Sequence, residues 1–112
     1  MTEEQYLIQL KSKYSMKFED LMQVIEDNYN ILTTAFKNGD LENSADENQG
    51  SAKLFAFAKL HNLNNTETLR CFGQYYQEVL DDKNGSSHSN IRQLILTGLE
   101  NVILKKQILI KK

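Results

Sequence analysis

The sequence predicts a mainly α fold, α+β at the margin: a compact bundle of about five short helices with a small β patch from residues 31–36 and the C-terminal segment. Three observations predict it. Apolar residues recur at helical spacing in successive stretches separated by polar ones. Clusters rich in Asn, Asp and Gly punctuate those stretches at 37–50 and 81–87. Proline is absent, so no helix is interrupted by one.

The elements follow in order. Over 4–14, Leu7, Leu10 and Tyr14 share one helical face. Over 17–29, Phe18, Leu21, Met22, Ile25 and Tyr29 make a stronger stripe. ILTTAF at 31–36 is β-branched and short, which suits a strand. KNGDLENSADENQG at 37–50 reads as a loop. A helix over 51–61 starts at Gly50 or Ser51 and turns Leu54, Phe57, Ala58 and His61 inward. A single helix over 65–80 carries Leu69, Phe72, Tyr76, Val79 and Leu80, with Asn64 and Glu67 spaced as a capping box. The last helix, 89–99, is capped by Ser87 or Ser89 and presents Ile91, Leu94, Ile95, Gly98 and Leu99. VILKKQILI at 102–110 allows a hairpin or a helical extension, and its two aliphatic triplets favour extended chain.

Length and composition narrow the function classes. The 112 residues, 40% hydrophobic and 25% charged, fit one soluble domain, 1–112. No apolar run approaches the ~18 residues of a membrane span. The start, MTEEQYLIQLKSK, is acidic where a Sec signal peptide is basic, so none is expected. One cysteine, Cys71, excludes an internal disulfide and a multi-cysteine zinc site. Residues 1–50 carry 4 basic and 10 acidic groups, whereas 51–112 carry 9 basic and 5 acidic. Nucleic acid is not the expected partner, because only two arginines are present and no aromatic–basic interleaving accompanies the lysines.

The chemistry-bearing residues concentrate in two segments. The 38–51 loop supplies many oxygens, but not at calcium-loop spacing. A loop begun at Asp40 wants glycine at Ala45, one begun at Asp46 wants it at Ser51, and the glutamate of the twelfth position is Ser51 or Phe57. No metal or cofactor is therefore expected. Gly50-Ser51-Ala52-Lys53 opens a helix whose N-terminus can hold an anion, without the spacing of a P-loop. Cys71 lies among apolar neighbours and reads as an inert buried thiol. Tyr75 lies about 100° around the helix from the core-facing Tyr76, which makes it the ring free for contact. His88, Asn90 and Arg92 begin the last helix as a polar group. The candidate binding residues are thus Asn38, Asp40, Asn43, Asn48, Ser51, Lys53, Tyr75, His88, Asn90 and Arg92, with no catalytic residue identified. No Ser-His-Asp, His-Glu-x-x-His or glycine-rich nucleotide fingerprint is present.

Several strings carry a family resemblance. TAFKNGD (34–40), Asn43, Asn48, Gly50-Ser51 leading to KLFAFAKL (53–60), TLRCFGQYY (68–76), Val79-Leu80, and HSNIRQL (88–94) with Thr97-Gly98 together resemble the HopJ type III effector family. The match runs from about Phe18 to about Gly98. The sequence departs from that pattern at Asp46 (glycine expected), Ala52 (cysteine), Ser89 (glutamine) and Leu99 (tryptophan). The family is named for effectors that plant-pathogenic bacteria inject into host cells, and no enzymatic activity comes with the resemblance. It implies a bacterial cytoplasmic protein, a type III route into a host cell, and a host or bacterial protein as partner. A monomer that binds neither nucleic acid nor membrane is expected. Two functions follow: a non-catalytic interaction module, or a small-ligand or metal-binding protein whose polar site joins the 38–51 loop to the start of the 88–92 helix.

Overall fold

The computed structural model describes residues 1–12 and 15–112. Tyr14, assigned above to the first stripe, lies outside the described residues. The elements are α1 (Glu3–Lys11), α2 (Phe18–Asn28), β1 (Tyr29–Ile31), β2 (Phe36–Asn38), β3 (Leu41–Asn43), α3 (Gln49–Leu60), α4 (Asn65–Cys71), α5 (Gln74–Asp81), α6 (Ser89–Thr97), a 3₁₀ turn (Leu99–Asn101), β4 (Val102–Leu104) and β5 (Leu109–Lys111). The fold is mainly α with a small β patch, as the sequence predicts.

Caps explain several boundaries. Thr2 and Gln5 close a capping box at α1, and Asn64 and Glu67 close the expected one at α4. The Lys17 N–H donates to the Asp20 carboxylate at 3.0 Å to open α2. The core is built from the predicted stripes and from residues beside them. Leu21, Val24 and Ile25 of α2 and Leu54, Phe55 and Phe57 of α3 are buried, as are Ile91 and Leu94 of α6. Each such side chain removes enough apolar surface from water to contribute about 1.5–3 kcal/mol. In α1 the buried pair is Tyr6 and Leu10 rather than Leu7, which is half-buried. Leu80 and Ile95, placed in the core by periodicity, are exposed at the outer margin of the α5–α6 pair.

The helix expected over 65–80 is two helices. The chain breaks at Gly73, whose φ of +58° no other residue adopts without strain. A Cβ there would lie 2.5 Å from the Met16 carbonyl oxygen and 2.6 Å from the Phe18 nitrogen. The break lets α5 reach the start of α2, where Gln74 Oε1 accepts from the Phe18 N–H at 2.9 Å and Gln74 Nε2 donates to Glu19 at 2.8 Å.

The β patch also differs in detail. Residues 32–35 are not a strand; β1 and β2 flank them. The Gln49 side chain takes the place of a strand partner, accepting from the Thr34 N–H and donating to the Thr34 carbonyl, each at 3.0 Å. The 37–50 loop contains a hairpin, β2–β3, turned at Gly39. The C-terminal triplets are extended, but they do not pair with each other. β4 joins β2 to make an antiparallel sheet in the order β3-β2-β4, and β5 pairs with β1 in register Tyr29↔Lys111. β1 thereby gains the strand partner it lacks locally, and β2 a partner on its second edge.

Candidate functional site

Two helix starts face one another across a cleft. α3 begins after Asn48 and α6 after His88, not after the residues the sequence nominated. Both preceding residues adopt the left-handed conformation, with φ of 50° and 53°, and neither offers its side chain as a cap. A left-handed non-glycine residue costs roughly 1 kcal/mol, less for asparagine than for histidine. Gly50 and Ser51 of α3 and Ser89 and Asn90 of α6 line the cleft, so first-turn N–H groups of both helices border it. It encloses about 300 Å³.

The opposite wall is aromatic. Phe18 stacks on Phe72 at 6.2 Å between centroids and meets the Tyr75 ring edgewise at 5.5 Å. Tyr75 in turn lies 5.2 Å from the His88 ring, tilted 35° to it. His88 Nε2 is 3.0 Å from Glu78 Oε1, which fixes the imidazole at the cleft mouth. Gly50 lets the Phe18 ring come close, since a Cβ there would sit 3.0 Å from its Cζ.

Beneath the polar side lies a network of four asparagines. Asn38 Nδ2 donates to the Asn90 carbonyl at 2.9 Å and to Asn90 Oδ1 at 3.1 Å. Asn90 Nδ2 donates to Asn43 Oδ1 at 3.0 Å, and Asn48 Nδ2 donates to the same oxygen at 2.7 Å. Asn38, Asn43 and Asn90 are buried, and Asn48 reaches the surface. The network ties the β2–β3 hairpin to the starts of α3 and α6. Asn38 Oδ1 is buried without a partner, a cost of roughly 1–3 kcal/mol.

The nominated residues therefore divide. Asn38, Asn43, Asn48 and Asn90 form the network, and Asn48, Ser51, Tyr75, His88 and Asn90 line the cleft. Three do not join them. Asp40 is exposed at the β2–β3 turn, and Lys53 sits beyond the first turn of α3, outside the lining. Arg92 turns back to donate to the carbonyls of Ser87 and Lys83, bracing the 82–88 loop. No group of three His, Cys, Asp or Glu able to hold a metal is found among the described residues. Cys71 is buried away from the cleft, and burial pushes its thiol up to about 12. Phe18, Phe72, Ser89 and Ile91 line the cleft without having been nominated. Phe18, Phe72 and Ile91 are apolar, which signals core, and Ser89 reads as a helix cap; only the folded chain turns them toward a cavity.

A second polar cluster escaped the sequence reading altogether. Glu3 Oε1 accepts from the Tyr29 hydroxyl and lies 2.8 Å from His61 Nε2, while Glu3 Oε2 accepts from Lys111 Nζ at 2.9 Å. The Lys111 ammonium also stands 4.9 Å over the Tyr29 ring. Burial alone would raise the Glu3 pKa; the bonds from Tyr29, Lys111 and His61 outweigh it and hold the carboxyl below its ordinary value. Burial, together with this carboxylate, pushes the Tyr29 hydroxyl up.

The comparisons with known proteins agree with the resemblance. The family model described as HopJ type III effector protein matches residues 3–109. A crystal structure described as that of unknown function protein VPA0580 is 41% identical in sequence, with a TM-score of 0.95, covering 100% of this chain and 95% of that one. Among curated proteins none matches. The chain belongs to the HopJ type III effector protein family.

Proposed function

We propose that this member of the HopJ family is a non-catalytic binding module, and that its cleft takes a small anionic ligand with a flat ring. The observation that carries the reading is convergence. Helix starts at 49 and 89 and rings at 18, 72 and 75 meet around one cavity of about 300 Å³. First-turn N–H groups with the dipoles of two helices favour a carboxylate or phosphate. The Phe18–Tyr75–His88 wall suits a ring, because stacked or edgewise ring pairs gain about 0.5–1.5 kcal/mol beyond area burial. Two of the three left-handed non-glycine residues, Asn48 and His88, line the cleft, which fits a backbone geometry held for binding.

Phenyl phosphate, benzoate and inorganic phosphate serve as probes, followed by amide chemical shifts of the ¹⁵N-labelled chain. Phenyl phosphate is expected to shift Gly50, Ser51, Ser89 and Asn90 together. It should bind roughly tenfold more tightly than inorganic phosphate, the ~1.4 kcal/mol that ring contact supplies. Tyr75→Ala should erase the difference. Equal affinity for the two phosphates, or shifts scattered over surface lysines, would sink the reading.

A second reading is docking of a host or bacterial protein. It is supported by apolar surface left in solvent: Leu96 is 78% exposed beside Leu80 and Ile95, and Leu60 at the far end of α3 is 50% exposed. The family description supports type III delivery of a bacterial protein, with the bacterial cytoplasm as its site of origin.

A further inference from the structure

We infer that the bend between β4 and β5, with the C-terminal half of α3, forms a docking surface for an acidic protein segment bearing leucine-like side chains. This deepens the protein-docking reading and is independent of the cleft. Ala56, Leu60, Leu104, Ile108 and Leu109 line a groove of about 290 Å³. Its floor, Ile108 and Leu109, is core, while Leu60 on its wall is half exposed.

The one charged residue that lines this groove is a lysine. Lys59 lines it, and Lys105 and Lys106 occupy the bend between two lining residues, Leu104 and Gln107. All three are exposed. Among the described residues no carboxylate lies within ion-pair distance of any of them. The other apolar groove, beside Leu80, Ile95 and Leu96, differs: its lining Lys83 follows Asp81 and Asp82 in the chain, and Arg92 there is engaged by backbone carbonyls. An apolar slot with one lysine in its lining and two more in the adjoining bend is complementary to apolar side chains flanked by carboxylates. Lys105 and Lys106 reach this position because β4 and β5 belong to different sheets, which leaves 105–107 as an exposed bend instead of a hairpin turn or a helix.

The test is fluorescence anisotropy with a labelled amphipathic peptide of about twelve residues, two leucines four apart and glutamates around them. Parallel probes replace leucine by serine or glutamate by lysine; phosphatidylserine vesicles and a DNA duplex complete the set. Binding of the leucine–glutamate peptide alone is expected. Leu60→Glu and the pair Lys105→Glu with Lys106→Glu should each weaken it by about tenfold or more. These side chains are exposed, so the melting temperature should stay unchanged and separate lost docking from lost folding. Absence of peptide binding, or binding that survives both variants, overturns the inference. Lysine-dependent binding of vesicles or DNA in its place overturns it as well. Peptide binding lost in Leu96→Glu but kept in Leu60→Glu overturns this surface while leaving the protein-docking reading intact.

Discussion

The asparagine network under the cleft and the Glu3 cluster solve one problem with different chemistry. Each joins segments far apart in the chain, the first linking 38–48 to 90 and the second linking 3, 29, 61 and 111. The network is neutral and mostly buried. Amides donate and accept without ionising, so its strength is independent of pH and rests on direction alone. The Glu3 cluster is charged and partly open to water. Its members hold each other by charge, so its strength depends on protonation and is screened by salt. The contrast teaches where rigidity is placed: the uncharged network supports the cleft, while the titratable cluster ties the two ends of the described chain.

The largest test of that contrast is Asn90→Ala. It removes one of the two acceptors of Asn38 Nδ2 and one of the two donors to Asn43 Oδ1, two buried bonds at about 1 kcal/mol each, and should cost about 2 kcal/mol. The melting temperature should fall by roughly 10 °C at pH 7 and by the same amount at pH 5. A pH-dependent loss would break the distinction between the two regions.

Next is Glu3→Gln, expected to cost about 1 kcal/mol at pH 7. The folded pKa of Glu3 is lowered below the ordinary 4.5. Its contribution is therefore complete above about pH 4.5 and vanishes as pH falls through the folded value. Urea melts of wild type and variant should differ at pH 7 and converge toward pH 3. A constant gap would mean that Glu3 acts by packing alone.

The smallest effect sharpens the comparison on the cleft side. His88→Gly relieves the left-handed conformation but adds freedom to the unfolded chain, for a net gain on the order of 0.5 kcal/mol. Thermal melting should show an increase of a few degrees while the phenyl phosphate shifts weaken. A destabilised variant would show that the His88–Glu78 contact outweighs the strain.

Much of this was legible in the residues. The stripe over 17–29, the Asn64–Glu67 box and the extended C-terminal triplets all stand where local rules put them, because spacing, caps and β-branching act over a few residues. Five of ten nominated residues line the cleft, four because both polar segments flank helix starts and Tyr75 from α5. What local rules missed had non-local causes. The break falls at Gly73, where the Met16–Phe18 backbone packs so close that any Cβ would collide with it. Asn48 and His88 precede their helices in a conformation that propensity alone disfavours, and it is held by contacts to Asn43 and Glu78. Arg92 faces its own loop, a direction that residue type does not specify.

The sequence by itself determined the fold class, most of the helical stretches and the family, since these rest on periodicity and on short ordered strings. Only the tertiary structure decided which strands pair, which asparagines bond and which aromatic rings turn from core to cavity wall. Those outcomes depend on segments tens of residues apart competing for the same partners, and hydrogen-bond direction and close packing resolve the competition only when the whole chain is in place.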